Sequence, residues 1–297
     1  MPEFSNTQKG IFFTILGAWA FAFKTILAKL IYQYGVDPLS LLCLRLTVAG
    51  AIFFAVLLIN LLRCKWSLKF GIKSWSIIIL LGFCGYYLCS YLDFKGLYFI
   101  DASLGRMILF LYPTMVVLIN AVVNKKPITK ATALALVVSY LGLTLMMAPQ
   151  VRIKQNSILL GSTLVFLSAL IYAFYLTAVD KFFKDVGMGL FISLIMCFAT
   201  IFVYIHYSIA GNFSVLFTFN PIVYIYCLIL GVFCTVVPIY AMSAGIAFLG
   251  ASKAAMYNMS GPIVTLLMGA LILHERLGPI EILGVILIIF GVSRINN

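Results

Sequence analysis

The chain has 297 residues, of which 64% are hydrophobic and 9% charged, with a formal net charge of +12. Soluble globular proteins carry roughly 25% charged residues, so this composition excludes a soluble domain of any size. The basic excess does not indicate a nucleic-acid surface, because most lysines and arginines fall in short connections between apolar runs, where they govern membrane topology.

Runs of about 20 apolar residues, each long enough at 1.5 Å per residue to cross a ~30 Å hydrocarbon core, follow one another along the whole length. They predict an all-α integral membrane protein of ten transmembrane helices near residues 10–32, 39–62, 75–94, 102–123, 131–148, 157–179, 187–208, 221–243, 250–273 and 279–293. The first run reads as a retained span and not a signal peptide, since Lys24 lies inside it and no small-residue cleavage site precedes a polar mature region.

With the N-terminus cytoplasmic, the inner side carries Lys9, Arg63, Lys65, Lys69, Lys73, Lys125, Lys126, Lys130, Lys181, Lys184 and Arg294. The outer side then carries Lys29, Lys95, Arg152, Lys154 and Arg276. This asymmetry places both termini in the cytoplasm. Asn212-Phe213-Ser214 is a glycosylation sequon in a predicted outer loop, which the expected bacterial inner membrane would leave bare. The seven cysteines form no CxxC pair, and all but Cys64 fall in predicted spans as buried thiols. His206 and His274 lack ligand-like spacing, so neither a metal nor another cofactor is expected.

The two halves, residues 1–149 and 150–297, are related. A gapless shift of 149 positions sets Tyr91 on Tyr240, Gly96 on Gly245, Phe99 on Phe248, Ala102-Ser103 on Ala251-Ser252, Met107 on Met256, Pro113 on Pro262 and Gly142 on Gly291. Earlier in each half, Gly10 aligns with Gly161 and Ala22-Phe23 with Ala173-Phe174. Each unit therefore holds five spans. An odd number of crossings makes the second unit enter from the opposite side, giving an inverted-topology repeat of the sort that builds alternating-access transporters.

These residues resemble a known family. Ala22-Phe23-Lys24, Pro38 followed by Leu44-Arg45-Leu46, and Ala102-Ser103 with Pro113 look like one EamA repeat. Ala251-Ser252, Gly261-Pro262, Gly269, His274-Glu275-Arg276-Leu277, Gly284 and Gly291 look like a second. The chain is thus similar to EamA-type members of the drug/metabolite transporter superfamily across nearly its whole length. The resemblance implies ten helices in two inverted halves around a central cavity that moves a small organic solute. It also implies that Glu275 fixes a turn. The first copy departs from the pattern in having Asn124-Lys125-Lys126-Pro127 where the glutamate turn is expected, and Arg106 where small residues are usual.

Lys24, Arg45 and Arg106 are the informative side chains, because an ionised group in hydrocarbon costs about 2.5–3.5 kcal/mol on insertion scales and turns to a cavity or a partner. Arg45 and Arg106 sit roughly 9 Å and 7 Å inward of the outer boundary. Asp93 and Asp101 are placed at span margins within reach of water. Two interpretations follow for the cations: snorkelling or structural pairing with the aspartates, or a grip on a carboxylate or phosphate of the solute, with Arg106 favoured. Trp19 and Phe23 in the first span, Tyr86, Tyr87 and Tyr91 in the third, Tyr172 and Tyr175 in the sixth, and Tyr257 and Asn258 in the ninth are candidate cavity residues, against belt and packing roles. Pro113 and Pro262, at equivalent places, are candidate hinges or tolerated kinks.

The favoured solute is an amino-acid-like zwitterion or a nucleoside-bearing anion, with multidrug export as the alternative. Lipid and this small molecule are the expected partners, and the sequence leaves monomer or homodimer undetermined. An intramembrane enzyme is disfavoured, since no histidine accompanies Ser260 as base and His274-Glu275 lacks a second histidine. No filter-like glycine sequence supports a channel.

Overall fold

The computed structural model describes residues 5–63, 68, 70–123, 125, 127–147, 157–264, 267 and 278–293. The described residues are almost entirely helical. In chain order the helices are α1 (Asn6–Tyr32), α2 (Pro38–Leu62), α3 (Ile72–Phe99), α4 (Ala102–Leu109 with Tyr112–Val123) and α5 (Lys130–Met147). The second half adds α6 (Ile158–Val186), α7 (Met188–Ala210), α8 (Pro221–Leu249), α9, which opens as Ala251–Tyr257, and α10 (Pro279–Ser293).

Seven of these are long and apolar enough to cross a membrane. α5 and α10 are shorter apolar helices, and α9 is described as far as 264. Glu275 and its turn lie outside the described residues.

Helix ends sit where the sequence supplies caps. Ser5 and Gln8 close a capping box on α1. Asp37 accepts from the amides of Leu39 and Ser40 ahead of Pro38, and Asn220 accepts from Ile222 ahead of Pro221. Each cap satisfies amides that have no partner inside the helix, and proline at the first position gives up a donor that would be orphaned there anyway. The outward faces carry exposed Phe12, Trp19, Phe54, Ile209 and Phe290. In lipid this is the satisfied arrangement, since the backbone bonds close within each helix.

The fold is two inverted five-helix repeats, and their symmetry is visible in the packing. α1 lies along α8 as α6 lies along α3; α2 pairs with α7, α4 with α9 and α5 with α10. Close approaches mirror one another. Gly10 of α1 abuts Phe248 and Leu249, whereas Gly161 of α6 abuts Phe99 and Ile100. A methyl group added to Gly142 would come within 2.6 Å of the Gly284 carbonyl oxygen, and one added to Gly284 within 2.6 Å of that of Gly142. Small residues let helix backbones approach this closely where lipid gives no hydrophobic drive to associate.

Irregular segments repeat as well. α3 carries a π-helical stretch at Gly82–Leu88 and α8 one at Val232–Val236. α4 breaks at 110–111, and α9 tightens into a 3₁₀ turn at Asn258–Ser260. Both breaks precede the paired prolines Pro113 and Pro262 by two to four residues. The Phe110 carbonyl at the first break accepts from the Tyr140 hydroxyl at 2.9 Å, which satisfies a group the regular helix would have bonded.

Candidate functional site

The irregular segments converge on a cavity at the centre of the bundle. It is lined by Gly17, Phe21 and Lys24 of α1, Arg45 of α2, Gly85, Tyr86, Cys89, Ser90 and Asp93 of α3, Leu109 of α4, Ser168 and Tyr172 of α6, Cys234, Thr235, Pro238, Ile239 and Met242 of α8, and Asn258 of α9. Its volume is about 50 Å³. That is room for a few water molecules.

Charge is concentrated on the first half. The Lys24 ammonium lies 2.5 Å from Asp93 Oδ2, both side chains being at most 5% exposed. The same ammonium sits 4.4 Å from the Phe21 ring centroid and 5.2 Å from that of Phe94. Arg45 is buried, and its Nε donates to Thr235 Oγ1 at 2.7 Å. Its guanidinium lies 5.2 Å over the Phe94 ring, and Nη1 finds no hydrogen-bond partner among the described residues.

The second half faces this cluster with different chemistry. By the alignment that sets Gly10 on Gly161, the positions of Phe21 and Lys24 are taken by Tyr172 and Tyr175. Tyr172 and Tyr175 stack at 6.0 Å, with Tyr86 edge-on to Tyr175 at 5.1 Å. One wall of the cavity is ionic and the other aromatic. Between them the breaks of α4 and α9 meet, where the Asn258 amide donates to the Tyr112 hydroxyl.

A profile of the EamA-like transporter family matches residues 8–148 and, again, residues 159–297. The chain belongs to the EamA-like transporter family. A relative from Bacillus subtilis (strain 168), "Uncharacterized transporter YcbK", is 29% identical over 279 residues, which are 93% of this chain and 88% of that protein. A solved structure named only "Crystal structure of protein" shares the fold, with a TM-score of 0.77, 16% identity and coverage of 96% of this chain and 98% of that one. The protein is thus a multi-pass membrane transporter.

The structure of this EamA-like transporter sorts the residues that the sequence singled out. Lys24, Arg45 and Asn258 line the cavity. Arg106 is buried but lies outside the lining, with Nη2 donating to the Ala22 carbonyl of α1. Trp19 is 49% exposed and belongs to the outer surface, not the cavity. Tyr87 bonds His206 Nδ1 at 3.0 Å and Tyr91 meets the same ring edge-on at 4.9 Å, so both tie α3 to α7. Tyr175 backs Tyr86 and Tyr172 from behind, and Tyr257 is buried away from the lining.

Asp93 requires a correction. It is 2% exposed and lies inside the bundle, not at a margin within reach of water, because α3 runs to Phe99 and not to residue 94. Five further residues of helix sink it by about 7.5 Å. The positive surplus expected of the site is therefore smaller than the sequence implies. Two lining cations face one lining carboxylate.

Of the aromatics that the sequence singled out, Tyr86 and Tyr172 line the cavity, whereas Ser90, Ser168, Thr235 and Pro238 were missed. The usable signal was register: Tyr86 and Ser90 lie four apart, as do Ser168 and Tyr172, each pair on one helical face.

Proposed function

We propose that this EamA-like transporter is a secondary carrier that moves a small organic metabolite bearing a carboxylate or phosphate across the cytoplasmic membrane by alternating access, with both termini in the cytoplasm. An amino-acid-like zwitterion or a nucleoside-bearing anion fits best. The observation that carries this reading is the Arg45 guanidinium, anchored through Nε to Thr235 while the buried Nη1 is left without an acceptor in the cavity. A buried donor without a partner costs about 1–3 kcal/mol, more when charged, so an anionic group arriving there recovers that cost as well as its own hydrogen bond.

The opposed tyrosines, Tyr86 and Tyr172, offer flat apolar surface to the remainder of the solute. Arg106, which braces α1 at Ala22, positions the helix that carries Lys24. Multidrug export fits less well, since an amphiphile site has no use for two buried cations and a carboxylate.

A cavity of about 50 Å³ is far below the roughly 300–1,000 Å³ of sites that hold organic ligands. Binding therefore requires the two repeats to part, and the breaks ahead of Pro113 and Pro262 are the places where α4 and α9 yield.

A thermal-shift screen of the purified protein against carboxylates, amino acids, nucleotides and their uncharged analogues tests this. A ligand at 100 times its dissociation constant stabilises by about 2.7 kcal/mol. Hits should share an anionic group and should lose their shift in Arg45→Met. Equal shifts from neutral or cationic amphiphiles, unchanged in Arg45→Met, would sink the assignment.

A further inference from the structure

Asp93, Phe21 and Phe94 form three walls of a small enclosure: one carboxylate and two aromatic faces, 2.5, 4.4 and 5.2 Å from a single ammonium nitrogen. A ring face attracts a cation within about 6 Å of its centroid, and a buried carboxylate attracts it more strongly still. Such a combination is a receptor for an alkylammonium ion. Here the ion is supplied by the chain itself, since Lys24 reaches in from α1.

The partnership is specific. Lys24 is the only cation in salt-bridge contact with Asp93 among the described residues, and Asp93 Oδ1 accepts no hydrogen bond from them. The other ionisable groups whose charges reach Asp93 are Tyr32 of α1, Arg45 of α2, Cys89 of α3 and Arg106 of α4. Of these, Arg45 bonds Thr235 through Nε and shares the Phe94 ring, its guanidinium lying 5.2 Å from that centroid, and Arg106 Nη2 donates to the Ala22 carbonyl. The second half has no counterpart, because Met242 and Ser243 stand at the positions equivalent to Asp93 and Phe94 by the 149-residue shift.

We infer that Asp93, Phe21 and Phe94 constitute an alkylammonium-binding site that Lys24 fills from within, as a tethered counter-cation. A carboxylate buried in a membrane span has to be neutralised in every state the carrier visits, and a mobile cation would have to be taken from solution each cycle. Lys24 removes that need, so the empty carrier keeps Asp93 compensated without a bulk ion. The inference concerns the cavity of the proposed carrier but is read out by cation binding, not by solute flux, so either can fail alone.

The experiment vacates the site and refills it. Thermal unfolding of wild type, Lys24→Ala and Lys24→Ala/Asp93→Asn is compared in methylammonium chloride and in choline chloride at equal ionic strength. Choline serves as control because its trimethylated head is larger than the space a single ammonium fills. Methylammonium should raise Tm of Lys24→Ala by several degrees over choline, in a saturable manner, and should leave wild type and the double variant unmoved.

Lys24→Ala that ignores methylammonium, or a double variant that responds equally, overturns the site. If Lys24→Ala does not fold in choline, solubilisation in methylammonium should recover monodisperse protein, and the same comparison on Lys24→Met, which fills the space left by the stem, should show a smaller response. Failure of recovery in methylammonium, with Lys24→Met folded and equally stable in both salts, also overturns it.

Discussion

Replacing Asp93 with asparagine removes the partner of an ammonium that is itself only 4% exposed, so the charge is left facing Phe21 and Phe94 with no counter-ion in contact. Breaking a buried pair from one side costs about 3–5 kcal/mol, against about 0.2–1 kcal/mol for an exposed pair, because the remaining charge keeps its desolvation penalty. Lys24→Met alone should be as harmful, since it strands the carboxylate. The double variant Lys24→Met/Asp93→Asn removes both charges and should lie within about 1–2 kcal/mol of wild type, as apolar replacement of a whole buried pair is often nearly neutral. The cycle therefore predicts a coupling energy of about 3 kcal/mol or more. Reversible unfolding of the four proteins in mixed micelles measures it. Single costs that add to the double within about 0.5 kcal/mol would show that the two groups act independently, and the ionic wall of the cavity would have to be redrawn.

Three further outcomes follow from the packing. Lys29 Nζ donates to the Ile100 carbonyl at 2.6 Å at one end of the bundle, and Asp180 Oδ2 accepts from the Ala251 amide at 3.1 Å at the other, the two residues being equivalent in the repeat. Lys29→Met should therefore raise the reactivity of introduced cavity cysteines toward an impermeant thiol reagent from the outer face, and Asp180→Asn from the inner face; changes of the same sign on the same face would contradict the pairing. Gly142→Leu, forced against the Gly284 backbone, should separate α5 from α10 and lower stability by about 1–3 kcal/mol, the usual range for overpacking, whereas a neutral effect on unfolding would contradict the close approach. Pro113→Ala with Pro262→Ala should straighten the breaks in α4 and α9 and slow exchange several-fold while solute affinity holds, as measured by radiolabel exchange and binding side by side; unaltered exchange would leave the prolines as passive kinks.

The spans were legible because each is a long apolar run, while the caps that set their ends, Ser5, Asp37 ahead of Pro38 and Asn220 ahead of Pro221, went unread, and the first helix starts at Asn6 and not near residue 10. The division into two inverted five-helix units was legible through the repeat, which Gly142 and Gly291 share with the prolines, but the pairing of helices came only from the packing. The third span misled: Asp93 and Lys95 look like a membrane margin, yet the helix carries them on to Phe99, and the carboxylate is neutralised by a residue nearly seventy positions earlier.

Rotation about each helix axis was the harder quantity. α1 is apolar on nearly every face, so nothing local separates Trp19, which faces outward, from Phe21, which lines the cavity. The π-helical stretch at Gly82–Leu88 adds a further turn offset, which brings Tyr86 to the cavity and sends Tyr87 and Tyr91 to His206. Arg106 was singled out for its expected depth in a span, but only tertiary structure shows its Nη2 donating to the Ala22 carbonyl while Arg45 keeps a donor for the cavity.

The most direct test of a carrier built around this cavity is counterflow in proteoliposomes, using an anionic metabolite identified by the thermal-shift screen. Vesicles preloaded with unlabelled solute should draw in labelled solute above its equilibrium level for a time, with saturable rates, and Arg45→Met vesicles should show neither overshoot nor saturation. Entry that rises linearly with concentration, shows no overshoot and is indifferent to Arg45→Met would contradict alternating access through the Arg45 site.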